Sequence, residues 1–243
     1  MENWNGIISL LIACIELVLI INILIFAEKN TFNKITVIFL IVLMIYQALE
    51  FVMCHLGYPS SFLAYIAFID ISFLPPLDLY LIYTFFIKKN DNLRYLFILP
   101  FIFIIYYALV LNRFEVASCT VFYAVYNYPH GTLFGVYYYL PITASIFFLI
   151  SYLRNGTIQK NLYFAGLLLT GHIIMALPVL FAFLLAALRM PGMLNSVESI
   201  MCKFAFPYAL CLTFFALNNK ESVNEWNYTE YLSYYWKWIC CSI

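Results

Sequence analysis

The sequence predicts an all-α fold: a polytopic membrane protein built as a seven-transmembrane-helix bundle, with the N-terminus outside and the C-terminus cytoplasmic. Three observations predict it. First, 65% of the 243 residues are hydrophobic and 10% are charged, against roughly 45–50% and 25% in soluble domains. Twelve basic and twelve acidic residues are too few to cover a soluble fold of this size. Second, the apolar residues fall in continuous runs near the roughly 20 residues a spanning helix needs, not in the alternating pattern of a membrane barrel. Third, the basic residues alternate from loop to loop.

The spans are expected at about 7–27, 35–57, 61–87, 95–111, 132–153, 162–188 and 194–217. The first is read as a helix that stays in the protein, not a cleaved leader. It has no basic leading region, carries Glu16, and offers no small-residue cleavage site. One set of loops, with the tail, holds Lys29, Lys34, Lys88, Lys89, Arg94, Arg154, Lys160, Lys220 and Lys237; the other set holds only Arg113 and Arg189. Positive charge collects on the cytoplasmic side, which sets the orientation. The sequons at Asn155 and Asn227 then face the cytoplasm and are not expected to carry sugar. The transmembrane domain is 1–217, and 218–243 is a cytoplasmic aromatic tail.

The outer loop 112–131 is aromatic (Phe122, Tyr123, Tyr126, Tyr128) and is expected to lie on the membrane surface. In the tail, Trp226, Tyr228, Tyr231, Tyr234, Tyr235, Trp236 and Trp238 suit a membrane interface. Its final Cys240 and Cys241 are candidate lipidation sites in a eukaryotic host. Cys14, Cys54, Cys202 and Cys211 fall inside spans and Cys119 stands alone outside. No disulfide and no metal site is therefore expected.

Ionisable residues inside spans are costly, face the bundle interior and often mark function. Counted from the outer end of each expected span, Glu16 is tenth, Glu50 eighth, Asp70 tenth and Lys203 tenth. At 1.5 Å per residue they share a layer roughly 11–15 Å below the outer boundary. Glu198 lies about five residues above that layer, and Asp78 and His172 about eight below it. Lys203 should pair with one carboxylate, leaving the other acids protonated or hydrogen-bonded. Tyr46, Gln47, Glu50 and Cys54 share one face of the second helix, and Ser199 and Lys203 one face of the seventh.

Pro75, Pro76, Pro141, Pro178 and Pro207 deprive the carbonyls of Ile71, Ser72, Tyr137, Ile174 and Lys203 of their helical donors. Inside a membrane such carbonyls need other partners. The kinks are expected to make room for a cavity. The site candidates are thus Glu16, Gln47, Glu50, Asp70, Asp78, His172, Glu198 and Lys203.

Gln47-Ala48-Leu49-Glu50 resembles the Q-x-x-E signature of an uncharacterised prokaryotic family of seven-helix membrane proteins. Ser199-Ile200-Met201-Cys202-Lys203-Phe204-Ala205 resembles its S-[IV]-W-C-x-F-A signature, and Pro75-Pro76 stands where that family has prolines. Met201 replaces the usual Trp and Lys203 an apolar residue. The resemblance implies architecture; that family has no established activity to carry over. A second resemblance is to microbial retinal proteins. It implies a Schiff-base Lys203 with Asp70 as counterion, and hence retinal as cofactor. Two departures weigh against it: the spans hold no Trp, and Ala67 stands where that family has Arg.

Function is therefore expected in a membrane bundle that handles a small ligand, an ion or a proton, as a receptor or a transporter. The retinal protein and a purely structural bundle are the alternatives. No enzyme is expected, because three scattered histidines and no nucleophile–base pair supply neither metal nor acyl-transfer chemistry. Beyond the bilayer, partners are the small molecule, ion or proton, a cytoplasmic signalling protein, or another copy. A net charge of zero argues against nucleic acid. The location is a membrane, the cell membrane in a prokaryote.

Overall fold

The computed structural model describes residues 4–86, 95–155, 159–187 and 197–219. The basic residues at 88, 89, 94 and 189, and the tail from 220 with its tryptophans and paired cysteines, lie outside them.

Helix α1 (Ile7–Phe26) buries Ser9, Ile12, Ala13, Glu16, Ile20 and Ile23. These recur every three or four residues, so one face packs inward while Leu11, Leu24 and Ile25 remain exposed. Gly6 caps it with φ +71°, a backbone that side chains resist. Helix α2 (Thr31–Cys54) starts at Asn30, whose side chain accepts from the Asn33 amide. At this end Asn33 donates to the Glu28 carbonyl and to the Ala216 carbonyl, which clips α2 to the end of α8 (Val197–Asn218).

The expected third span is two helices, α3 (Ser61–Ser72) and α4 (Leu74–Phe86), joined at Phe73. The tandem prolines explain the joint. Pro76 has no amide to give the Ser72 carbonyl, and the Tyr137 hydroxyl of α6 (Gly131–Asn155) donates to it instead at 2.6 Å. By contrast, α6, α7 (Gln159–Ala187) and α8 run on through Pro141, Pro178 and Pro207.

Six helical stretches among the described residues are long and apolar enough to cross a bilayer: α1, α2, α3 with α4, α6, α7 and α8. The chain is a multi-pass, all-α membrane protein. The expected fourth span differs. Tyr95–Leu109, a 3-10 turn leading into α5 (Ile98–Leu109), is a shorter apolar helix. Its 15 residues reach about 22 Å at 1.5 Å each, below the hydrocarbon thickness of about 30 Å. Phe97 meets Tyr80, Phe101 meets Phe73, and the Ile104 carbonyl accepts from Tyr65. The described part of α5 thus begins level with Tyr80, six residues short of the end of α4.

The aromatic loop 112–131 is folded. It forms an antiparallel hairpin, β1 (Glu115–Cys119) and β2 (Ala124–Asn127), with Glu115 opposite Asn127 and Cys119 opposite Ala124. Thr120 closes the turn, its hydroxyl accepting from the Tyr123 amide. Three attachments pin the hairpin over the bundle. Cys119 is disulfide-bonded to Cys54, the Gly6 amide donates to the Thr120 carbonyl, and Ala124 bonds to α8. The disulfide corrects the reading of Cys54 as intramembrane and Cys119 as solitary. Cys54 is the last residue of α2, so it emerges where the loop passes. A Cβ on Gly6 would meet the Cys54 Cβ at 3.0 Å, so glycine lets the three segments converge. Beneath the hairpin, Phe68, Tyr107, Phe114, Tyr128 and Phe134 pack largely edge to face.

Candidate functional site

Two buried polar clusters stand at different depths. The outer one draws on α1, α2, α8 and the hairpin. The Lys203 ammonium lies 2.8 Å from Glu50 Oε1 and donates also to Ser9 Oγ at 2.9 Å and to Gln47 Oε1 at 2.5 Å. Its three protons have three acceptors. Glu50 Oε1 accepts from Ser9 as well, and Oε2 accepts from Ser199 at 2.8 Å. Gln47 spends its amide on the Cys202 carbonyl. Ser199 accepts from the Ala124 amide of β2 at 3.1 Å.

Every group in this cluster is buried, and the charges cancel one to one. Such a pair costs desolvation and holds only when its remaining hydrogen bonds are made, as they are here. Spacing explains the convergence. Gln47 and Glu50 are three apart on α2, and Ser199 and Lys203 four apart on α8, so each pair projects from one face. The phenol of Tyr126 is buried under the hairpin, and burial, with Glu50 nearby, pushes it well above its ordinary range.

The inner cluster joins α4, α7 and α8. His172 Nε2 lies 2.9 Å from Asp78 Oδ2, His172 Nδ1 lies 2.9 Å from the Leu168 carbonyl, and the Tyr208 hydroxyl donates to Asp78 Oδ1 at 2.5 Å. All three side chains are buried. Gly171 makes the approach possible, because a Cβ there would stand 2.9 Å from Tyr208 Cδ2 and 3.2 Å from its Cα.

Of the expected layer of Glu16, Glu50, Asp70 and Lys203, Glu50 is the acid that pairs with the lysine, and Glu16 lies within reach of its charge. Glu50, Gln47 and Lys203 come together, and Asp78 with His172. Glu16 is buried on α1, but neither of its oxygens has a hydrogen-bond partner among the described residues. Asp70, just before the joint at Phe73, is half-buried with Oδ2 unpartnered, and Lys203 makes its ion pair with Glu50 instead. Glu198 lies in the first turn of α8, its side chain outside what is described.

Two small voids lie among the described residues where the kinks were expected to make room for a cavity. One of about 10 Å³ lies under the hairpin beside Tyr46, Phe114 and Tyr126; another of about 10 Å³ touches Asp78, Pro75, Met201 and Cys202. Each has room for roughly one water. Lys203, with all its protons engaged, is not presented to either.

Sequence reasoning did not single out Ser9, Tyr208, the Ala124 amide or the disulfide. Ser9 carried a usable signal, standing seven residues before Glu16 on the same face of α1. Tyr208 carried none, since a tyrosine in an apolar helix is ordinary. The chain matches no family model, no curated protein and no solved structure.

Proposed function

We propose that the chain is a receptor-like membrane bundle in which the disulfide-tethered hairpin is the sensing surface and the Lys203–Glu50 cluster is the latch it acts on. One observation carries this reading. The Ala124 amide of the hairpin bonds to the same Ser199 hydroxyl that holds Glu50, so lifting the hairpin withdraws a bond from the ion pair tying α1, α2 and α8. The proposed topology has seven crossings, α5 supplying the short fourth, with the N-terminus outside and the C-terminus cytoplasmic. It is supported by nine basic residues against two across the loops. It is also supported by the disulfide, which belongs on an oxidising face. The output passes to a separate cytoplasmic partner at the inner ends of the helices.

Hydrogen–deuterium exchange of the whole protein in nanodiscs, before and after reduction of the disulfide with a membrane-impermeant phosphine, tests the reading. The expected result is faster exchange in the hairpin and along α8 to its inner end at Asn218. Faster exchange confined to the hairpin overturns it. Proton flux into dye-loaded liposomes that disappears in Glu50→Gln would put a carrier in its place.

A further inference from the structure

The inner cluster takes no part in that latch, and its hydrogen-bond geometry dictates its chemistry. A backbone carbonyl can only accept, so His172 Nδ1, 2.9 Å from the Leu168 carbonyl, carries a proton in every state. Nε2 stands 2.9 Å from Asp78 Oδ2. A bare imidazole nitrogen and a bare carboxylate oxygen would repel at that distance, so a second proton lies between them. It can sit on Nε2, giving imidazolium and carboxylate, or on Oδ2, giving two neutral groups. The net charge is zero either way. Tyr208 holds the other carboxylate oxygen and so fixes the plane of the exchange.

We propose that Asp78, His172 and Tyr208 form a proton-binding site, separate from the outer latch, that takes up and gives back one proton between α4 and α7. On release the N–H or O–H bond breaks, its electron pair stays on the ring or carboxyl atom, and the proton passes to water. The water-sized void touching Asp78 is where that transfer begins. What remains is imidazole and carboxylate with a net charge of −1, which an apolar surrounding resists. Among the described residues the titratable groups facing the cluster are Cys211 and Cys202 of α8 and Tyr138 of α6; Phe39 faces it from α2. None of them supplies a cation. Lys203, on α8 as Tyr208 is, is already matched by Glu50. Binding the proton therefore neutralises the junction of α4, α7 and α8, and losing it loads that junction with charge.

The test is nitrogen-15 magnetic resonance of histidine-labelled full-length protein in nanodiscs. His55→Gln and His130→Gln variants assign the signal of His172 among the three histidines. Between about pH 5 and pH 9, the Nδ1 signal is expected to stay that of a protonated nitrogen while the Nε2 signal moves. In Asp78→Asn the movement is lost from that range, and in Tyr208→Phe it persists. An Nε2 signal that does not move in the unaltered protein overturns the proposal, whether or not Asp78→Asn folds. So does equal movement in Asp78→Asn.

Discussion

The outer and inner clusters are both buried, both bridge three helices and both centre on a carboxylate, yet they solve the burial of charge differently. Glu50 faces a lysine whose three protons are all spoken for. Asp78 faces a histidine and a tyrosine, so its charge can be removed by moving one proton over the 2.9 Å from His172 onto its carboxylate. The outer cluster is further sealed by a covalently tethered cap; the inner one borders a water-sized void. A fixed pair serves as a fastener that opens only when its geometry is disturbed. A shared proton makes a joint whose charge follows its surroundings.

The hardest blow to this contrast is Lys203→Met. It strands Glu50 and is expected to cost about 3–5 kcal/mol, the range for breaking a buried pair by removing one partner. Thermal unfolding in detergent measures it. Lys203→Met combined with Glu50→Gln should recover most of the loss, whereas a double variant as unstable as the single would mean that Glu50 was never the compensating charge. The His172 nitrogen signals should be unchanged in both.

A smaller effect is expected from Cys119→Ser, which opens a link between residues 65 apart in sequence. Disulfides of this kind contribute about 2–4 kcal/mol. Limited proteolysis should cut the hairpin near Phe122 faster than in the unaltered protein, with α4 and α7 no more susceptible. Cleavage spread evenly over both halves would erase the distinction between the clusters.

The smallest concerns Tyr126, whose phenol burial holds above its ordinary range. The unfolded phenol ionises first, near pH 10. The stability linked to Tyr126 is therefore intact below about pH 10 and declines above it. In Tyr126→Phe the alkaline fall in unfolding midpoint should be shallower. Identical slopes would place Tyr126 in contact with water.

Much of the architecture was legible because the bilayer penalises anything but long apolar helices, and runs such as 7–26 and 31–54 advertise themselves. Depth could be counted in residues, which brought Glu50 level with Lys203 and Asp78 level with His172. The same count did not say which acid would pair with the lysine, because depth leaves rotation about the axis undetermined. Glu16 lies within electrostatic reach of Lys203 without a hydrogen bond to it, and Asp70 keeps one oxygen unpartnered. It also overran at the fourth span, where the described helix is shorter than its apolar run. Cys54 was misplaced by a span drawn three residues too long, and the disulfide was lost with it.

The sequence by itself determined that this chain lives in a membrane as helices, and which few charged residues must be buried there. Both follow from local transfer costs that each segment pays alone. Only the tertiary structure decided that Lys203 takes Glu50 rather than Asp70, and that His172 and Tyr208 divide the two oxygens of Asp78. It alone also set the hairpin as a cap on the bundle. Hydrogen-bond partners depend on helix rotation, a break at Phe73 and a glycine's missing Cβ, which are settled between segments and not within them.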